Sequence, residues 1–171
     1  ALEWKHVNVN DALADIDLML LSQLERCHVA LTTPSNMPMI MRANYGVGNI
    51  ASMFGARSFV MPYEMDTLPN VYPMGEAFVR RILDMSAPGM DAGNCPQIFA
   101  MAESFAEIRE KYPKIARFVR IDHPDAQGPM DNCELIWGSD IFYALYDEQE
   151  TVHALLRRIT DVMTTFLDSW Y

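Results

Sequence analysis

The chain has 171 residues, half of them hydrophobic and 21% charged, with 13 Lys and Arg against 23 Asp and Glu for a formal charge of −10. This suits about one globular domain with a sizeable core and excludes a disordered chain. The densest basic spots are the pairs Arg80-Arg81 and Arg157-Arg158, which argues against nucleic acid; the acidity argues against anionic membranes, and no apolar run approaches the ~18 residues of a membrane helix.

The periodicity predicts a first helix over 11–30, with Leu13, Ile16, Leu20 and Leu24 at steps of three and four and Asn10 as N-cap. The run Thr32-Thr33-Pro34-Ser35-Asn36 breaks it, and Met37 to Met41 reads as a short buried strand. Asn44-Tyr45-Gly46-Val47-Gly48 is a turn-rich loop, followed by a short helix over 49–54 that ends at Gly55. A strand is expected over 57–63 and a loop over 64–73. Gly75 marks the start of a helix over 76–85, with Phe78 and Ile82 on one face. After a Gly- and Pro-rich loop, residues 97–111 form a helix carrying an i,i+4 pair of Glu107 and Lys111. Residues 115–121 read as the best strand of the chain. Pro129 suits the first position of a helix to Trp137, a short helix covers 140–146, and the longest helix spans 147–170.

About seven helices and at most three strands follow from this count. A strand leading through a loop into a helix suggests a helix-rich α/β protein, either an α/β (TIM-like) barrel or a doubly wound sheet. Closing such a barrel takes about eight strands. Cys27, Cys95 and Cys133 are odd in number and far apart, which points to a reducing cytoplasm, and no secretory leader opens the chain. The thirteen methionines suit irregular cores and cavities.

The run Asp122-His123-Pro124-Asp125-Ala126-Gln127-Gly128-Pro129 precedes Trp137-Gly138-Ser139-Asp140 and Phe142-Tyr143-Ala144-Leu145-Tyr146. Then come Glu150-Thr151-Val152-His153-Ala154-Leu155-Leu156 and Ile159-Thr160-Asp161. This order resembles the uroporphyrinogen decarboxylase superfamily, with Gln149 where the family has a proline. More loosely, Ile50-Ala51-Ser52-Met53-Phe54-Gly55 is similar to the helix after the first barrel strand, and residues 83–114 to the connection before the second. The resemblance implies a single domain over 1–171, the N-terminal half of a (β/α)8 barrel of about twice this length. It implies decarboxylation of a tetrapyrrole or transfer of a corrinoid-linked methyl group, and a second half-barrel or another copy of the chain as partner. The family's Arg-rich carboxylate-gripping motif has only a faint echo in Met41-Arg42-Ala43. Asn44-Tyr45-Gly46 stands where the decarboxylases have an Asp, and a family tyrosine falls near Leu135.

The candidate catalytic residues are Asp125 and His123, at the C-terminal end of a strand where barrels gather their chemistry. An imidazole can serve as acid or base, the role His123 is offered for, and Asp125 suits a cation or pyrrole N–H groups. Gln127, Gly128, Tyr45, Arg42 and Asn44 are candidate substrate-binding residues: amides for polar groups, a glycine for close approach, an aromatic face, and a guanidinium for a carboxylate. The same loops equally suit plain turns. Cys27-His28 and His153 read as ordinary helical residues, since adjacent side chains point about 100° apart; no metal ligands are assigned, and the sequence names no cofactor. The alternative is a non-catalytic binding or assembly module that pairs through its open sheet edge.

Overall fold

Residues 3–34 and 36–171 are described by the structure, a computed structural model; Ser35 of the predicted break lies outside them. Its elements are α1 (Val9–Ala14), α2 (Ile16–Thr32), β1 (Ile40–Met41), α3 (Asn49–Met53), β2 (Ser58–Phe59) and β3 (Asn70–Val71). Then follow α4 (Glu76–Asp84), α5 (Cys95–Lys111), α6 (Pro113–Phe118), β4 (Arg120–Ile121), α7 (Pro129–Trp137), α8 (Ile141–Asp147) and α9 (Gln149–Trp170). A 3-10 turn covers Tyr63–Met65. Among the described residues the protein is 60% helical and 5% strand, mixed α/β at most. The chain divides into two compact units, each with its own core.

The first unit comprises the residues up to Tyr45, Met61–Leu68 and Gln97–Pro124. The single helix expected over 11–30 is two. Asp15 leaves the helical region (φ −139°, ψ 123°), and its side chain accepts from the N–H of Leu18 at 3.0 Å. It thus ends one helix and caps the next, the role short acidic side chains take at N-caps. The cap of α1 is Asn8 rather than Asn10. Strand β1 is shorter than the run 37–41: Met41 is fully buried, while Met37 is 53% exposed. It pairs in parallel with β4, Ile40 opposite Arg120 and Met41 opposite Ile121. Met19, Met41, Met101 and Phe105 fill the core.

The strand expected over 115–121 is overturned. Pro113 occupies the first turn of α6, its fixed φ being suited to that position, and only Arg120 and Ile121 are extended. Lys114, Ala116 and Arg117 favour the helix, so the β-branched Ile115 is carried into it.

The second unit comprises Gly46–Val60, Pro69–Pro96 and Asp125–Tyr171. Val152, Leu155, Ile159 and Phe166 of α9 are buried along one stripe, as their spacing predicts. They belong to the same core as Cys133 and Ile136 of α7 and Val79 and Ile82 of α4. The strand expected over 57–63 is only β2, paired antiparallel with β3, which falls in the expected loop. Gly93 has a left-handed φ of 57°, and a Cβ there would stand 2.5 Å from the backbone carbon of Ser52. Gly75, at φ 74°, opens α4 as its place in the sequence suggests.

Candidate functional site

Strands β1 and β4 run side by side, so the residues that follow them do too. The N–H of Arg120 donates to the carbonyl of Met39 and that of Asp122 to Met41, both at 3.0 Å. Arg42 and Asp122 leave the pair together and line a pocket of about 270 Å³ with Gln23 and Arg26 of α2, Pro38 and Ile40. Gln23 is buried, and its Oε1 accepts from the N–H of Arg42 at 3.2 Å, fixing the backbone where the loop departs. The lining holds two guanidinium groups and one carboxylate, that of Asp122, which accepts from Arg120 at 2.8 Å. Guanidinium groups match carboxylates and phosphates by paired, charge-assisted hydrogen bonds, so the pocket suits an anion.

Of the other predicted residues in this unit, His123 donates from Nδ1 to the carbonyl of Pro124 at 2.7 Å. A carbonyl can only accept, so the proton of this bond sits on Nδ1. Tyr45 is 7% exposed, and burial pushes its hydroxyl above the usual phenol range. Asn44 faces a small cavity of about 30 Å³, otherwise lined by Ser22 and apolar side chains such as Val7 and Met19.

Asp125, Gln127 and Gly128 belong to the second unit. Gln127 is left-handed at φ 52°, a region costly for a side chain of its size. Its Nε2 donates to Asp125 Oδ1 at 2.8 Å, and its backbone N–H to the same oxygen at 3.3 Å. The N–H of Gly128 donates to Asp131 Oδ2 at 2.9 Å, where α7 begins.

Two buried amides hold this loop. Asn49 Nδ2 donates to the carbonyls of Gly46 and Asp125, both at 2.9 Å, while its Oδ1 accepts from Asn94 at 3.1 Å. Asn132 Nδ2 donates to the carbonyls of Ala126 at 2.8 Å and Gly128 at 3.0 Å. One side chain therefore ties the start of the loop 46–48 to Asp125, and another fixes the strained turn on both sides of Gln127. The carboxylate of Asp125 and the amide of Gln127 are thereby set as one unit, able to accept and donate to a polar ligand.

Sequence reasoning did not single out Asn49, Asn132, Gln23 or Arg26. The signal for Asn132 was its place inside a helix, where asparagine is a poor former and stays only when its side chain bonds nearby backbone. The thiols offer no nucleophile: burial pushes Cys95 up to about 11 and Cys133 up to about 12. All three cysteines are free and buried. Among the described residues, no helix is long and apolar enough to cross a membrane. No protein-family model, curated protein or solved structure matches the chain.

Proposed function

We propose that the chain is part of a uroporphyrinogen-decarboxylase-like enzyme of (β/α)8 type, and that the pocket of Arg26 and Arg42 receives a carboxylate of a tetrapyrrole. The observation that carries this reading is the parallel pair β1–β4. Its two strands are joined by a crossover over residues 42–119 that carries α3 to α6 and the β2–β3 pair, and a helix-bearing crossover between parallel strands supports an α/β reading. In (β/α)8 barrels the chemistry lies beyond the C-terminal strand ends, which is where Arg42, Asp122 and His123 follow here. A cationic lining favours a carboxylated substrate, and so decarboxylation over corrinoid-linked methyl transfer. In this reading, within the first unit, Arg42 holds a carboxylate and His123 moves a proton.

The test is titration of the chain with uroporphyrinogen under anaerobic conditions, followed by intrinsic tryptophan fluorescence. Saturable binding is expected, weakened about tenfold or more by Arg42→Ala, the loss of a charge-assisted pair worth ~1.5–3 kcal/mol. Arg42→Lys restores part of it. No saturable binding, or binding indifferent to Arg42→Ala, rejects the reading.

A specific observation favours the assembly alternative as well. Among the described residues each strand has a single neighbour, which leaves sheet edges open to another chain. A concentration-dependent dimer in sedimentation, with no porphyrinogen binding, selects that alternative.

A further inference from the structure

Helices α2 and α6 of the first unit enclose an apolar groove of about 380 Å³. Leu24, Cys27, His28 and Leu31 lie at i, i+3, i+4 and i+7 along one face of α2, and Ile115 and Phe118 stand on α6. Two of these apolar side chains remain in solvent, Leu31 at 69% and Phe118 at 56% exposure. Exposed apolar side chains gathered at a groove mark an interaction site.

The rim is cationic, which is unexpected in a chain of net charge −10. Residues 109–120 hold Arg109, Lys111, Lys114, Arg117 and Arg120, five of the chain's 13 Lys and Arg, with Glu110 as their one acid. Arg120 is paired with Asp122. The other four are exposed, and among the described residues none of them has a carboxylate within 4 Å. Lys114 lines the groove, and the Arg117 guanidinium lies 5.1 Å from the Phe118 ring centre. Lys114 and Arg117 therefore stand at the mouth of the apolar surface.

We propose that this groove takes an amphipathic helix of a protein partner, apolar on the face it lays down and acidic on its flanks. An apolar groove between two helices is the kind of surface into which helix-in-groove recognition lays an amphipathic helix. The unpaired cations specify the sign of the flanking charge, since complementary potentials set partner choice and encounter rate. This inference does not depend on the tetrapyrrole reading.

The test uses the whole chain and a fluorescein-labelled helical peptide of about four turns, with Leu at i, i+3, i+4 and i+7 and Glu on both flanks. Fluorescence anisotropy at low salt is expected to show saturable binding that weakens as salt rises. A matched peptide with Lys in place of each Glu is expected to bind at least tenfold more weakly. Leu31→Asp, and separately the double variant Lys114→Glu/Arg117→Glu, are each expected to weaken the acidic peptide tenfold or more. These positions are exposed, and circular dichroism checks that the variants keep their helix content. No saturable binding, equal binding of the two peptides, or indifference to the groove variants overturns the proposal. So does laurate binding to the groove without peptide binding, or self-association that Leu31→Asp abolishes in the absence of peptide binding. The first outcome would mark an acyl-chain site, and the second an interface with another copy of the chain.

Discussion

At the start of α7, the buried side-chain amides of Asn49 and Asn132 each donate to two backbone carbonyls and fix a turn that places Gln127 in a left-handed conformation. In the groove between α2 and α6, Leu31 and Phe118 stand largely in solvent beside cations that no described carboxylate neutralises. The first region is braced by these four hydrogen bonds, so its geometry is set before any ligand arrives, and one buried acceptor there, Asn132 Oδ1, has no hydrogen-bond partner. The second leaves apolar area and charge unsatisfied, so its stabilisation is still to be gained on binding. A preorganised loop suits the positioning of reacting groups, and an unsatisfied groove suits association.

Substitutions separate the two. Phe166→Ala removes a fully buried ring from the core that supports the loop. It is expected to cost ~3–5 kcal/mol, seen as a large drop in the urea midpoint. A second effect comes from pH. Cys95 and Cys133 keep their protons in the folded state up to about 11 and about 12, against an ordinary value of 9.0. The unfolded chain loses these protons first, so stability is full below pH 9 and falls as pH rises toward the folded values. The slope approaches ~1.4 kcal/mol per pH unit for each thiol. Urea midpoints at pH 8, 9, 10 and 11 are expected to fall less steeply in Cys95→Ala/Cys133→Ala than in the parent. An equal slope in both would remove the thiols from the account.

Asn132→Ala comes next. It leaves the carbonyl of Ala126 without its buried donor and is expected to cost ~1–3 kcal/mol by thermal denaturation. Amide exchange is expected to show faster opening around 125–128 with little change in α2. Leu31→Asp is expected to move stability by no more than ~0.5 kcal/mol, because the side chain it replaces is already in water. If Leu31→Asp proved as costly as Asn132→Ala, the contrast between the two regions would be lost.

The sequence was most legible where the cause of structure is local. The apolar stripe of α9, the proline that opens α7 and the glycine before α4 were all readable, because helical periodicity and capping act over a few residues. The reading failed at 115–121, where β-branched content suggested a strand and Pro113 started a helix instead. It failed also for the cations. Searching for adjacent basic pairs misses residues spaced three apart, such as Lys111, Lys114, Arg117 and Arg120, which only the end of α5, helix α6 and β4 bring into one stretch of surface. Asp125 and Gln127 were legible as a loop after a strand, but not as a bonded pair at a left-handed backbone.

By itself the sequence determined the helix-rich character, the acidity and the two loops worth watching, since composition and local spacing fix these without knowledge of neighbours. Only the tertiary structure decided that β1 pairs with β4 across seventy-odd residues, that Asn49 joins Gly46 to Asp125, and that α2 and α6 face each other over an open apolar groove. Each of these depends on contacts between segments far apart in the chain. Such contacts are selected by packing and by the cost of leaving buried polar groups unpaired, and neither acts on a residue's sequence neighbours alone.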